Sequence, residues 1–384
     1  MTVYEDLELR PVINAAATLT KLGGSKMPPE VVQAMNEAAS SFIALDELQV
    51  KVGERIAALT NNEACYVSCG AAAGIVAAVS AVIAGTDPEL VDNFPYLDKG
   101  QKSEAIVVRT QRNGYDYAIR QTGARIIEVE PTLEAFEAAF GPKTACVVWF
   151  AGRLADGSPD IKDAIAVAKK HGVPFIVDAA AQIPPISNLW YFTRDLGVDI
   201  AIFSGGKGLR GPQSSGLVLG RADLIAACRV NGSPNSSIGR PMKVGKEEMA
   251  GSLAAVTWSL NQDEEALLER YEQVVHGWLE DVSRLPGVTG ERLFPSEAGQ
   301  PMPRARIAFG ADAGVTRDEV VERLRNNEPR IEVSTSPGDP DAIFLNQQTL
   351  EPGEVRSLSV DLPAGWWRLR TLEPGGSVDL DWRE

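Results

Sequence analysis

The sequence predicts an α/β protein with a large doubly wound sheet domain and a smaller C-terminal α/β domain. Three observations predict it. The chain has 384 residues, enough for one large core plus a smaller one and too many for a simple single-core fold. Between residues 64 and 220, short apolar runs of strand length alternate with helical stretches, the pattern of a sheet covered on both faces. After about residue 250 the alternation gives way to a long helical stretch and then a βαβ-like unit.

The elements follow in order. Residues 1–27 lack clear periodicity and hold "INAAATLTKLGGSKMP", a Gly-containing segment expected to be a loop with some function. "PPEVVQAMNEAASSF" starts a helix near Pro29, and a second helix covers roughly Asp46–Thr60. "ACYV" (64–67) is an apolar run followed by "SCGAAAGIVAAVSAVIAG", a helix ended by Gly85. "AIVVR" (105–109), "ARIIEVE" (124–130) and "ACVVWF" (145–150) read as strands. In "SPDIKDAIAVAKKHG" the pattern puts Ser158 at the N-cap, Pro159 at the first helical position and Gly172 past the end. "PFIVD", "DIAIFS" and "GLVLG" complete the buried strands of the large sheet. In the C-terminal part "EEALLERYEQVVHGWLEDVSRL" is helical, and "ARIAF" precedes "TRDEVVERLRN", where Thr316 and Glu319 form a capping box before "RIEVS". The tail "PGGSVDLDWRE" reads as a strand or a loose end. This divides the chain into an N-terminal segment, 1–45, a large domain, 46–250, and a small domain, 251–384.

Composition excludes several classes. Apolar residues are 44% and charged residues 23%, ordinary for a soluble globular protein. The small-and-apolar run from Ala71 to Gly85 is too short to cross a bilayer, so no membrane partner is expected. "MTVYEDLELR" has no basic start followed by an apolar stretch, so the expectation is no export signal and a cytoplasmic protein. Lys and Arg total 37 against 52 Asp and Glu, a net −15, which argues against a general nucleic-acid binder. The four cysteines (Cys65, Cys69, Cys146, Cys228) show no metal-like pairing and read as reduced thiols. His171 and His276, the two histidines, fall on separate helices, so no histidine-rich metal site is expected.

Three segments carry chemistry. Lys207 follows the apolar strand 200–203 and sits among Gly205, Gly206 and Gly208, which let backbone or ligand approach closely. A loop lysine is by default a surface residue. A P-loop does not fit, because Ala201 and Gly208 stand where Gly and Ser or Thr would be required. Ser204-x-x-Lys207 matches one serine β-lactamase element, but the accompanying ones are absent. What remains is a lysine that forms a Schiff base with a carbonyl compound. Asp178 ends "PFIVD" at the C-terminal end of a strand, where open α/β sheets bind ligands. A carboxylate there is either a helix cap or a charge partner, and pyridoxal 5'-phosphate needs such a partner for its ring nitrogen. Gln182, four residues on, is within reach of the ring hydroxyl or serves the loop itself. In "SCGAAAG", Ser68, Gly70, Ala71 and Ala72 leave backbone N–H groups uncovered at a strand-to-helix junction, which suits a phosphate; close packing would explain the alanines equally well.

With these residues in hand, the sequence resembles the pyridoxal-phosphate enzymes of fold type I, the aspartate-aminotransferase-like fold. Within it the chain resembles the branch of bacterial selenocysteine synthase and D-glucosaminate-6-phosphate ammonia-lyase. The matching pieces are "INAAATLTKLGGSKMP", "CGAAAG", "TGARIIEVE", "IVDAAAQ", "DIAIFSGGKGLRGPQSSGLVLG" and "GRPMKVGKEEMAG", from about residue 11 to 251. The resemblance implies that Lys207 is the cofactor lysine, Ser204 a phosphate contact and Gly211-Pro212-Gln213 a turn beside the cofactor. It places Arg240 and Lys243 where selenocysteine synthase has two arginines that hold a small anion; the lysine loses bidentate geometry. The fold usually sets a flat side chain over the ring near "TQRNGYD", where Gln111 is the candidate and Tyr115 the alternative. Arg112 and Tyr115 read equally well as surface residues at a helix start.

The resemblance further implies a homodimer or higher homo-oligomer with active sites at the interface, to which residues 14–27 or the Gly211 turn contribute. The substrate would be a small amino acid. With the charge of −15 and no added N-terminal domain, a tRNA reaction is not expected. The expected activity is a lyase, an ammonia-lyase or dehydratase working by β-elimination on a polar hydroxylated amino acid. Racemisation or epimerisation is the alternative, ahead of transamination or selenium transfer. A cofactor-binding scaffold without catalysis would be a different class, against which the Lys207 and Asp178 pair argues.

Overall fold

The computed structural model describes residues 2–351, 354, 358–362 and 365–369; the tail at 374–384 lies outside the described residues. The chain packs as two units, Ser25–Gln262 and Met1–Gly24 together with Asp263–Glu384. Sequence drew the large domain over 46–250. The helix Pro29–Ala39 also falls in the larger unit, where it packs along the helix Lys246–Leu260, which carries that unit past residue 250.

The smaller unit begins with β1 (Val12–Ala15), a strand inside a segment expected to be loop. Four residues are too few to show periodicity, and the partner strand lies more than 300 residues on. Ile13 and Ala15 are nonetheless buried, as alternation along a strand requires.

The larger unit holds β2 (Ala64–Ser68), β3 (Glu104–Val108), β4 (Arg125–Val129), β5 (Thr144–Phe150), β6 (Phe175–Asp178), β7 (Ile200–Ser204) and β8 (Gly216–Gly220). Their order in the sheet is β2-β8-β7-β6-β5-β3-β4. β8 runs antiparallel to β2 and β7, and the other pairings are parallel. Apart from the edge strand β4, whose Arg125 and Glu128 are exposed, the strands read as apolar runs because both faces are covered. Val67, Val108, Trp149, Val177, Phe203 and Leu219 pack into one core, while Tyr66, Val107, Val148, Ile176, Ile202 and Val218 pack into another. The helix Ala71–Ala84 lies so close to the second face that a Cβ on Gly74 would come within 2.9 Å of Ile202.

Two helix boundaries differ in their agreement with sequence. Thr316 and Glu319 do form the capping box of the helix Arg317–Asn326. The N-cap assigned to Ser158 is instead Asp160, whose side chain accepts from the Lys162 N–H, and the helix runs Ile161–Lys170. Either residue satisfies the capping preference; Ser158 is engaged elsewhere, as described below.

In the smaller unit, β9 (Val288–Leu293), β10 (Arg304–Phe309), β11 (Arg330–Ser336) and β12 (Asp339–Leu345) join β1 in the order β1-β11-β12-β10-β9. The expected βαβ unit is therefore split. β12 lies between β10 and β11 and is antiparallel to both. The turn-rich "TSPGDPDA" that makes this hairpin hid β12 from its apolar half alone. Trp278, Val282, Ile307, Ile331 and Leu345 form the core. β13 (Leu358–Leu362) and β14 (Gly365–Leu369) pair as a hairpin.

Candidate active site

The sheet register brings the chemistry-bearing residues to one edge. β5, β6 and β7 are parallel, so their C-terminal ends line up, with Asp178 level with Phe150 and Ile202. Gly216, at the start of β8, pairs with both Ser68 of β2 and Ser204 of β7. A Cβ on Gly216 would lie 2.7 Å from the Gly70 carbonyl carbon and 2.9 Å from the Ala71 nitrogen, so only glycine lets the strand meet this turn.

Asp178 is 8% exposed and its Oδ1 accepts the Ala180 N–H at 2.9 Å. Burial pushes its carboxyl pKa above the usual value, against the opposing pull of the Ala180 N–H and the Lys207 charge. Lys207 is half-buried, and burial lowers the pKa of its amine while Asp178 opposes that shift. The two charges sense one another without forming an ion pair.

The lysine loop is set by close packing. A Cβ on Gly206 would fall 2.5 Å from Gln213 Cα, and one on Gly208 would fall 2.1 Å from the Ile183 carbonyl oxygen. Gly205 would strike Ser215 Oγ at 1.9 Å. The glycines therefore admit the 212–215 turn and the 183 backbone, which sequence alone left unspecified. Ser215 Oγ donates to the Pro212 carbonyl at 2.7 Å and closes that turn.

Ser68 is buried, and its hydroxyl donates back to the Gly70 carbonyl at 2.9 Å, shaping the turn. Gly70 has φ 136, and a Cβ there would meet nothing within 4 Å. That open position lies at the N-cap of the helix Ala71–Ala84, whose Ala71 and Ala72 N–H groups no helical carbonyl can reach. Ser204 ends β7 half-buried, and Gln182 is buried near the end of β6, its carbonyl accepting from Asn188 Nδ2 at 2.6 Å.

Gln111 is fully buried with both amide ends engaged. Its Oε1 accepts the Phe150 N–H at 2.8 Å, and its Nε2 donates to Ser158 Oγ at 3.0 Å. Ser158 also shares a 2.9 Å hydrogen bond with Thr110. Gln111 thus braces the end of β5, next to Asp178. Tyr115 is exposed, and Arg112 bridges Asp116 and Glu128.

Arg240 and Lys243 are not gathered at this edge by any hydrogen bond or ion pair among the described residues; both are exposed on the loop between the helices Ala222–Asn231 and Lys246–Leu260.

Sequence reasoning missed Gln49 and Ser25. Gln49, buried on the helix Leu45–Leu59, takes both backbone groups of Val67 at 2.8 and 2.9 Å and so covers the outer side of β2 one residue before Ser68. A buried glutamine inside an apolar helical stripe was the available signal. Ser25 lies in the segment expected to be functional and is taken up below.

Burial pushes the thiols of Cys65, Cys146 and Cys228 up to about 12, and Cys69 is also raised, so none is an activated nucleophile. Among the described residues no cluster of His, Cys, Asp and Glu could hold a metal, and no helix is long and apolar enough to cross a membrane.

The pattern of the class-V aminotransferase family matches residues 17–236. The chain belongs to this family of pyridoxal-phosphate enzymes. It is 32% identical to a D-glucosaminate-6-phosphate ammonia lyase of Salmonella typhimurium (strain 14028s / SGSC 2262), over 92% of this chain and 95% of that protein. A solved D-glucosaminate-6-phosphate ammonia-lyase structure superimposes with a TM-score of 0.79, again covering 92% and 95% of the two chains at 32% identity. A 5'-C-glycyluridine monooxygenase-decarboxylase of Streptomyces sp is 33% identical over 85% of this chain and 83% of that one. An L-seryl-tRNA(Sec) selenium transferase of Moorella thermoacetica is 26% identical over 91% and 80%. The fold is the aspartate-aminotransferase-like fold type I expected from the motifs.

The residues present fit the family's cofactor, pyridoxal phosphate. A half-buried amine with no ion-pair partner among the described residues, a buried carboxylate at the same edge and a helix N-terminus behind Gly70 offer one partner each for an aldehyde, a pyridine nitrogen and a phosphate.

Proposed function

We propose that the chain is a pyridoxal-phosphate-dependent lyase that eliminates a β-substituent from a small, polar, hydroxylated amino acid and releases ammonia. The observation that carries the reading is the buried Asp178 beside a half-buried Lys207 at one end of the large sheet. When bound, pyridoxal phosphate supplies an electron sink for the substrate's α-carbon. Lys207 would hold it through Nζ. Asp178 would pair with its ring nitrogen, and a positive charge there would offset the burial that raises the carboxyl pKa. The Ala71 and Ala72 N–H groups and Ser204 would hold the phosphate, with Ser68 and Gly70 shaping the turn, and Gln182 would serve the ring hydroxyl. Gln111 would act indirectly, by fixing the end of β5.

Burial favours the neutral form of the Lys207 amine, which suits a base. Once the substrate's amine has displaced Nζ from the cofactor aldehyde, the freed Nζ would take the α-proton and pass it to the departing β-hydroxyl, which would leave as water. A water molecule would then hydrolyse the unsaturated amine to a 2-oxo acid and ammonia. Arg240 and Lys243 hold the substrate's anionic group, Lys243 as a point charge without the two-pronged grip of arginine. We further propose that the protein works as a homo-oligomer. Phe42 and Ile43 stand exposed at the turn between the helices Pro29–Ala39 and Leu45–Leu59, an apolar elbow suited to a second copy.

The test is a panel of D- and L-hydroxy amino acids, with and without a phosphate, assayed for 2-oxo acid and for solvent deuterium at the α-carbon. Oxo acid with ammonia supports elimination. Deuterium with inverted configuration and no oxo acid replaces the lyase reading with racemisation. Oxygen uptake with carbon dioxide release would instead align the chain with its Streptomyces relative.

A further inference from the structure

We propose that Ser25 is a positioning residue for Lys207, its hydroxyl fixing the backbone from which the amine projects. The Ser25 hydroxyl donates to the Lys207 carbonyl at 2.8 Å and lies 3.1 Å from the Gly206 carbonyl, so one proton is shared between consecutive peptide groups. The same Lys207 carbonyl accepts the Arg210 N–H at 3.0 Å. Arg210 answers from the other side: its Nε donates to the Lys26 carbonyl at 2.8 Å, and its guanidinium lies over the Trp258 ring, 5.5 Å from the centroid. Arg210 adopts φ 54 to do so, a conformation a non-glycine residue takes only when its surroundings hold it. Residues 25–26 and 206–210 are therefore stitched together at two points that bracket the lysine.

The stitch matters because Lys207 lies between two glycines. Gly206 and Gly208 are required by the backbone packed against them, yet glycine neighbours leave the lysine backbone more torsional freedom than any other residues would. A loop this permissive points its amine consistently only if its peptide groups are tied from outside. Ser25 supplies that tie, and it approaches directly after Gly23 and Gly24, whose φ of 90 and 74 turn the chain toward it.

The inference rests on Lys207 being the cofactor lysine, and the experiment separates the two. Apoprotein of the unaltered chain, Ser25→Ala, Ser25→Thr and Lys207→Ala is mixed with pyridoxal phosphate, reduced with borohydride at timed intervals and mapped by peptide for the labelled lysine. Apoprotein melting is followed in parallel. Ser25→Ala should label Lys207 about tenfold more slowly, as a misplaced reacting group does, with label spreading to other lysines. Visible circular dichroism per unit of bound chromophore should fall with it. Ser25→Thr, which keeps the hydroxyl, should restore both. Labelling of Ser25→Ala at the unaltered rate overturns the inference. So does equal loss in Ser25→Ala and Ser25→Thr accompanied by equally lowered melting, because that is a packing effect. Should the unaltered chain be labelled elsewhere than Lys207, the cofactor-lysine reading fails and this inference falls with it.

Discussion

Two stretches of the larger unit were expected to serve one reaction, and they are built in opposite ways. Around Asp178 and Lys207, six separate parts of the chain converge: the ends of β2, β5, β6 and β7, the 212–216 turn and residues 25–26. Asp178, Ser68 and Ser215 are buried there, Ser25, Ser204 and Lys207 half-buried, and Asp178, Ser68, Ser215 and Ser25 are hydrogen-bonded to backbone. Arg240 and Lys243 stand in solvent on a single loop, which is closed by backbone contacts such as Gly232 with Gly239 and the Arg240 N–H on the Ser237 carbonyl, while their own charged groups form no ion pair among the described residues. The first arrangement suits a group that stays through every turnover and needs a pre-formed, low-dielectric site. The second suits a substrate anion that comes and goes, met by charges whose desolvation is small. If that contrast is real, substitutions at the two places should fail differently.

The largest expected effect is at Lys207. Lys207→Met should abolish the visible absorbance of the purified protein and lower turnover at least about a thousandfold. The apoprotein should respond the other way. Burial lowers the amine pKa, so folding favours the neutral form, and a lysine that ordinarily titrates at 10.5 carries a folding penalty while it is protonated. That penalty is full below the folded pKa and disappears above 10.5. Lys207→Met apoprotein should accordingly melt higher than the unaltered apoprotein at neutral pH, with the gap closing toward alkaline pH. A gap that widens with pH would mean the amine is not desolvated.

Next comes Asp178→Asn. The amide keeps the shape and can still accept the Ala180 N–H, yet it removes the charge that would stabilise a protonated ring. Turnover should fall about a hundredfold while the cofactor remains bound, as read by absorbance beside steady-state rates. Loss of the cofactor with turnover per bound site unchanged would make Asp178 a packing residue.

Arg240→Ala and Lys243→Ala sharpen the contrast from the open side. Each should raise KM about tenfold and leave kcat near its original value, because a group that binds substrate and transition state alike changes only binding. Lys243→Arg should lower KM for a phosphate- or carboxylate-bearing substrate by restoring the two-pronged grip. Equal losses in kcat would place these residues with the buried set.

The same contrast explains what the sequence made legible. Strands β2, β3 and β5 to β8 could be read because burial on both faces leaves an apolar run, the edge strand β4 from its Ile126, Ile127 and Val129 alone, and Lys207, Asp178 and the "SCGAAAG" turn stood out as polar or glycine residues following such runs. β1 and β12 were hidden, one by its four-residue length and the other by turn residues in its first half. The hydrogen bonds made by Gln49, Ser25 and Gln111 could not be read because their partners lie 18, 182 and 39 residues away. Nothing local in a sequence names the partner of a side chain that closes a contact across that distance, even where, as at Gln49, a polar residue in an apolar helical stripe signals that it has one. Ser158 misled for a related reason: a serine two residues before an aspartate offers two equivalent caps, and only tertiary packing chooses.

That choice yields the smallest prediction and the one with the most discriminating design. Asp160→Ala should cost about 1 kcal/mol through the helix start alone. Ser158→Ala should cost a similar amount, about 1 kcal/mol, by a different route, since it strips a partner from the buried Gln111 amide and from Thr110. The two losses look alike in single variants. Paired with Gln111→Leu in double-mutant cycles, they separate. Ser158→Ala should couple to it by at least about 0.5 kcal/mol, because both remove the same hydrogen bond, whereas Asp160→Ala should add independently. Additivity at both positions would detach Ser158 from the brace at the end of β5, and with it the claim that Gln111 fixes the strand end beside Asp178.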